Sequence, residues 1–301
     1  MKNIQSHVFK GTIYAILAGV FWAFSGIFGQ LFFQAYADNA MWITSFRLLV
    51  AGVILLVVSY LSKPNTFFDI LKDRKNIPEL ISYAIFGVLM LQLSFYTSIQ
   101  VSSAATATVL QFTSPVFLLL YLVIFKHQKL NLKVVVLVIV AMLGIFLLTT
   151  HGNLATMTIT PLGLGLGLLS AIAVGTCAII PKRLLQTYDV LNVTGWGMTI
   201  AGVVMNIIHP VWVIDFKLTP KSLLLALGVA VIGTAVAFMF NMSAIKYISP
   251  VVASVCSAME PILASIFSIF LFGMSFDLLT GLSMLAVLIS VIMLSLEEGK
   301  I

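Results

Sequence analysis

The sequence predicts an all-α integral membrane protein of ten transmembrane helices, arranged as two inverted five-helix repeats. Three observations carry that expectation. The chain is 61% hydrophobic and only 9% charged, with a mean hydropathy of +1.14, which leaves too little polar surface for a water-soluble globule. Apolar stretches long enough to cross a hydrocarbon core of ~30 Å recur ten times. The chain also matches itself at an offset of 146 residues, with Gly87 on Gly233, Ser103 on Ser249, Thr108 on Ser254 and Pro115 on Pro261.

The expected spans run from Gly11 to Phe33, Trp42 to Leu61, Leu80 to Ile99, Ala104 to Phe125 and Val134 to Thr150 in residues 1–150. Residues 151–301 hold Pro161 to Ile180, Val190 to Trp212, Leu223 to Ile245, Pro250 to Phe272 and Leu278 to Leu296. The first span is too long for a signal-peptide core and has no clear cleavage site, so it reads as a membrane helix. Only the connection from Ser62 to Glu79 is long enough for a structured excursion.

Basic residues set the expected orientation, because cytoplasmic loops accumulate Lys and Arg. With the N-terminus inside, thirteen fall on the cytoplasmic side: Lys2, Lys10, Lys63, Lys72, Arg74, Lys75, Lys126, Lys129, Lys133, Lys182, Arg183, Lys246 and Lys300. Only Lys217 and Lys221 fall opposite, and Arg47 lies inside a span. Both termini are then cytoplasmic. Five spans per half force the second repeat to be inverted. Tyr36, Trp42 and Trp212, near the outer ends, read as interfacial anchors. The net charge of +6 is a topology signal and does not indicate a nucleic-acid partner, since the basic residues form no stripe or groove.

Two charges inside spans need a local reason. Glu260 lies about mid-depth, immediately before Pro261, and reads either as a cation or proton site or as an acceptor for backbone N–H groups freed at the break or for hydroxyls on adjacent helices. Arg47 lies near the outer end of the second span. A substrate carboxylate, neutralisation of Glu260, and snorkelling to the outer interface or capping helix carbonyls are all open to it.

Thr108, Gln111 and Pro115 recur at helical spacing, and Ser254, Ser257 and Pro261 are their repeat mates. Two such stripes facing across a pseudo-two-fold would line one cavity; otherwise the hydroxyls and small residues simply allow close helix packing. Gln111 is harder to read as packing, because its amide needs partners at membrane depth. Trp22 with Phe21 and Phe24, then Gln92, Phe95, Tyr96 and Asn241, are candidates for the rest of the wall, with packing the default for any single aromatic. Gly163, Gly165 and Gly167 read as close-packing positions and not as a phosphate loop. Cys177 and Cys256 read as buried packing residues. His7, His127, His151 and His209 are scattered, so no metal site or cofactor is expected, and no nucleophile and base arrangement argues for an enzyme.

The pattern resembles the drug/metabolite transporter superfamily, in particular its EamA branch. The resemblance is carried by residues 19–25 (Gly-Val-Phe-Trp-Ala-Phe-Ser), residues 45–52 around Arg47, Ala104 to Pro115, and Met259-Glu260-Pro261. It covers essentially the whole chain. It implies ten helices around a central cavity and movement of small metabolites or amino acids across the bacterial cytoplasmic membrane, commonly outward. Members often end the fourth and ninth spans in a Leu-Gly-Glu type motif. Here those places read Phe125-Lys126-His127-Gln128 and Phe272-Gly273-Met274-Ser275, with Asp277 beyond, so no gating role for such acids transfers.

The expectation is therefore a secondary transporter working by alternating access, with protons as a candidate coupling ion through Glu260. Its partners are a small-molecule substrate and membrane lipids, as a monomer or homodimer. An uncoupled facilitator or channel is the nearest alternative, and a lipid-handling protein the next. A membrane enzyme or assembly subunit lacks the catalytic constellation or docking surface it requires.

Overall fold

In the computed structural model the chain is described over residues 2–36, 40–129, 131–157, 159–272 and 276–298. Lys300 and the Gly273-Met274-Ser275 segment, used above, lie outside the described residues. Among the described residues, ten helices are long and apolar enough to span a membrane: α1 (Ser6–Tyr36), α2 (Ala40–Ser62), α3 (Asn76–Val101), α4 (Ala104–Lys126), α5 (Leu132–Thr150), α6 (Pro161–Thr187), α7 (Val190–Ile208), α8 (Pro220–Ile245), α9 (Pro250–Leu271) and α10 (Leu278–Glu298). No strand occurs among the described residues.

The span ends follow their capping chemistry. Thr160 and Thr219 cap α6 and α8 ahead of a proline, where a missing N–H does no harm. Ser103 and Ser249, 146 residues apart, cap α4 and α9 by accepting from the N–H of Thr106 and Val252. Helix α7 stops at Ile208, short of the expected Trp212, because Pro210 disfavours helix at His209. The connection after α2 carries short helical turns at Pro64–Thr66 and Asp69–Lys72.

Both chain ends meet at the link between α8 and α9. His7 and Lys10 pack on the Tyr247 ring, and Glu298 accepts from the Ser249 N–H (2.6 Å) and hydroxyl (2.7 Å). This side is called the terminal face.

The two repeats share their core. The most extensive packing sets α2 on α7, α5 on α10, α3 on α6 and α1 on α8, each pair joining one repeat to the other. Glycines mark the closest approaches. Gly87 of α3 lies against Cys177 of α6, and Gly233 of α8 against Ser25 of α1. Equivalent helical stretches are wound with π-type turns, Tyr83–Leu89 in α3 and Gly228–Val236 in α8. Cys177 and Cys256 are free and buried.

Two expected roles change. Trp42 is 3% exposed and donates its indole N–H to the Val211 carbonyl at 2.8 Å, so it is a buried strut and not an interfacial anchor. Tyr36 is tied to Thr219 by a 2.7 Å hydrogen bond, and only Trp212, 73% exposed, stands free on the surface.

Candidate functional site

The site grows from two interrupted helices. Pro115 and Pro261 have no N–H to give the preceding turn, so α4 splits into Ala104–Gln111 and Ser114–Lys126, and α9 into Pro250–Cys256 and Met259–Phe272. Tight turns bridge each gap: Thr113 N–H to the Leu110 carbonyl (3.1 Å) in α4, and Glu260 N–H to the Ser257 carbonyl (3.0 Å) in α9. Re-satisfying backbone groups in this way is what permits a break inside a bundle.

Around the breaks lies a cavity of about 770 Å³, lined by α1, α3, α4, α6, α8 and α9 with Arg47 of α2. Its lining reaches Phe33 and Gln34 at the end of α1, Ile99 in α3, His151 after α5 and Thr280 in α10, all at the face opposite the termini. On the side of the terminal face the lining runs to Ile245 and Pro250, and there Ser114 and Ser254, themselves part of the lining, are joined by a 2.8 Å hydrogen bond.

Every polar candidate singled out in the sequence lines this one space: Arg47, Gln92, Tyr96, Thr108, Gln111, Asn241, Ser257 and Glu260, with Trp22, Phe95 and Pro261. Ser257 turns its hydroxyl back to the Ser254 carbonyl (2.7 Å). Pro115 stays behind the wall. Phe21 and Phe24 turn away, stacking on Phe240 and packing on Phe267.

Arg47 does not snorkel. It is 3% exposed, and its Nε donates to Thr234 Oγ1 (2.8 Å) and its Nη2 to the Gly233 carbonyl (3.4 Å). The remaining arm donates to the Tyr96 hydroxyl. Glu260 makes no side-chain hydrogen bond among the described residues; it lines the cavity together with Arg47, whose charge acts on it. Gln92, 6% exposed, lines the same space.

Outside the cavity, Asp277 accepts from the Thr280 N–H at 2.7 Å, which holds its carboxyl below the usual range and makes it a helix cap. Sequence reasoning missed the rim residues His151 and Thr280, whose hydroxyl and ring nitrogen lie 3.3 Å apart, and the Glu298 to Ser249 contact. The repeat offset held a signal for one missed residue, since Ser114 is the mate of Glu260.

The sequence profile of the EamA-like transporter family matches residues 9–150 and 161–296. The chain belongs to the EamA-like transporter family. Its relatives are described as transporters. The uncharacterized inner membrane transporter YicL of Salmonella typhimurium is 33% identical over 291 residues, 97% of each chain. An uncharacterized transporter of Clostridium kluyveri is 23% identical over 278 residues, covering 89% of this chain and 87% of the relative. A solved crystal structure superposes with a TM-score of 0.79 at 12% identity, covering 96% of this chain and 98% of the other, which supports the fold alone. This EamA-like chain is thus a multi-pass membrane transporter.

Proposed function

We propose that the protein is a secondary transporter that exports a small polar or amphipathic metabolite, of the amino-acid class, across the bacterial cytoplasmic membrane by alternating access. The cavity carries the reading: it surrounds the two helix breaks, takes polar groups from both repeats, and on its terminal side a serine pair ties α4 to α9. The halves 1–150 and 151–301 are its two exchanging units. The terminal face is cytoplasmic, supported by thirteen basic residues against two, and the inner-membrane description of YicL supports the compartment.

Glu260 is the coupling group. The Arg47 charge acts on its carboxyl, but the Arg47 donors are taken by Thr234, Gly233 and Tyr96, which leaves a proton or a cationic cargo to complete its neutralisation when water is withdrawn. Gln92, Gln111 and Asn241 supply neutral donors and acceptors, and Trp22, Phe95 and Tyr96 an apolar wall, for the rest of the cargo.

The test is reconstitution in liposomes holding a pH-sensitive dye, with amino acids and metabolites screened with and without a pH gradient. We expect proton movement that depends on one added solute and is lost in Glu260→Gln. Solute flux without proton movement, untouched by that substitution, would make the protein a facilitator and Glu260 structural.

A further inference from the structure

The two helix breaks differ in what they touch. On the terminal side Ser114 of α4 and Ser254 of α9 share a hydrogen bond of 2.8 Å, and both residues are buried. There the first half of α9, Pro250–Cys256, packs on the second half of α4, Ser114–Lys126. The complementary halves, Ala104–Gln111 and Met259–Phe272, line the cavity toward the face opposite the termini, with no comparable packing between them.

A protein of inverted repeats reaches its opposite state by exchanging the conformations of its halves. A contact that closes one end therefore has a mate, set by the repeat register, that closes the other. In α4 and α9 that register is 146, fixed by the capping serines 103 and 249 and by prolines 115 and 261. Under it Ser114 corresponds to Glu260, and Ser254 to Thr108.

We infer that Thr108 and Glu260 form the polar contact that closes the cavity toward the face opposite the termini, the Thr108 hydroxyl donating to the Glu260 carboxyl. Both line the cavity, and neither side chain makes a hydrogen bond among the described residues. The two gates are equivalent in place and unequal in charge. One closes on two neutral hydroxyls, whereas the other buries a carboxylate that a single hydroxyl does not neutralise. Thr108 is thereby a positioning residue for transport, acting through Glu260.

The inference rests on the alternating-access reading, and disulfide trapping separates the two. A Cys177→Ala/Cys256→Ala background carries Gln92→Cys as a cavity reporter, labelled in proteoliposomes by a membrane-impermeant maleimide from either side. Oxidising an added Ser114→Cys/Ser254→Cys pair should confine labelling to the face opposite the termini. Oxidising a Thr108→Cys/Glu260→Cys pair should confine it to the terminal face. If the unlocked reporter labels from both faces but the second pair never cross-links, alternation stands and the gate contact is wrong. If the reporter labels from one face under every condition, alternating access fails and the inference with it. Thr108→Val, which keeps the shape and removes the hydroxyl, should shift the ratio of the two labelling rates toward the opposite face by roughly three- to tenfold, the worth of one hydrogen bond. An unchanged ratio would also overturn the contact.

Discussion

Arg47 sits seven residues inside α2, roughly 10 Å along its axis, where an unpaired guanidinium would be costly. Its planar fork is instead filled by three oxygens from two other helices: the Thr234 hydroxyl, the Gly233 carbonyl and the Tyr96 hydroxyl. A lysine keeps the charge but presents one compact ammonium and cannot reach all three. Arg47→Lys should therefore lower stability by roughly 2–4 kcal/mol, and Tyr96→Phe by about half as much, on the scale of lost charge-assisted hydrogen bonds. Thermal unfolding in detergent measures both, and an unchanged midpoint for Arg47→Lys would show that the fork is not structural. Sequence could not supply this role. The depth of Arg47 was legible, but its partners come from α3 and α8, and only tertiary contact puts them beside α2. Glu260 was more readable, because a carboxyl next to a membrane proline announces itself by position alone.

At the scale of the element, the breaks in α4 and α9 were legible because proline leaves a defect no neighbour in the sequence can hide. The π-type turns in α3 and α8 were not, since no residue type marks them; only Gly87 and Gly233, recurring 146 residues apart, pointed to the place. The fit of α1 against the α9 break is likewise a tertiary fact. A Cβ added at Gly19 would lie 2.7 Å from the Ser257 carbonyl oxygen and 3.1 Å from the Glu260 nitrogen. Both are backbone atoms at the break and cannot rotate aside. Gly19→Ala should push the break away from α1, displace Glu260 and destabilise the protein by roughly 1–3 kcal/mol, as overpacking does. Gly26 and Gly29 of the same helix face open space. Alanine at either should be neutral or stabilising by up to about 1 kcal/mol, the helix-propensity difference. Unfolding midpoints of the three variants decide it, and equal effects at all three would mean that α1 does not rest on the break.

For the whole molecule, the repeat was readable and its mechanics were not. The 146-residue offset serves α3, α4, α8 and α9, but the contacts of α2 with α7 obey a different one: Gly52 meets Thr199 and Gly202 meets Leu49, pairs related by 150 residues. Loops of unequal length absorb the difference, which a single-offset match cannot see. These two contacts lie on the pseudo-two-fold relation itself, so the exchange of halves carries each into the other and leaves the interface unchanged. The α2–α7 pair is then an axle common to both states, and its closeness is set by backbone. A Cβ at Gly52 would fall 2.5 Å from the Thr199 nitrogen and 2.8 Å from its Cα; at Gly202 it would fall 2.7 Å from the Leu49 nitrogen and 2.8 Å from its Cα. Gly52→Ala and Gly202→Ala should each destabilise by roughly 1–3 kcal/mol, because neither contact relaxes by a rotamer change. Their effects should match in size. The labelling ratio of the cavity reporter should stay where it is in both variants, since an axle strained equally in the two states favours neither. A variant that shifts that ratio would show that α2 and α7 move apart during the cycle and that the axle lies elsewhere, with α5 and α10, which like α4 and α9 are exchanged by the two-fold, next in line.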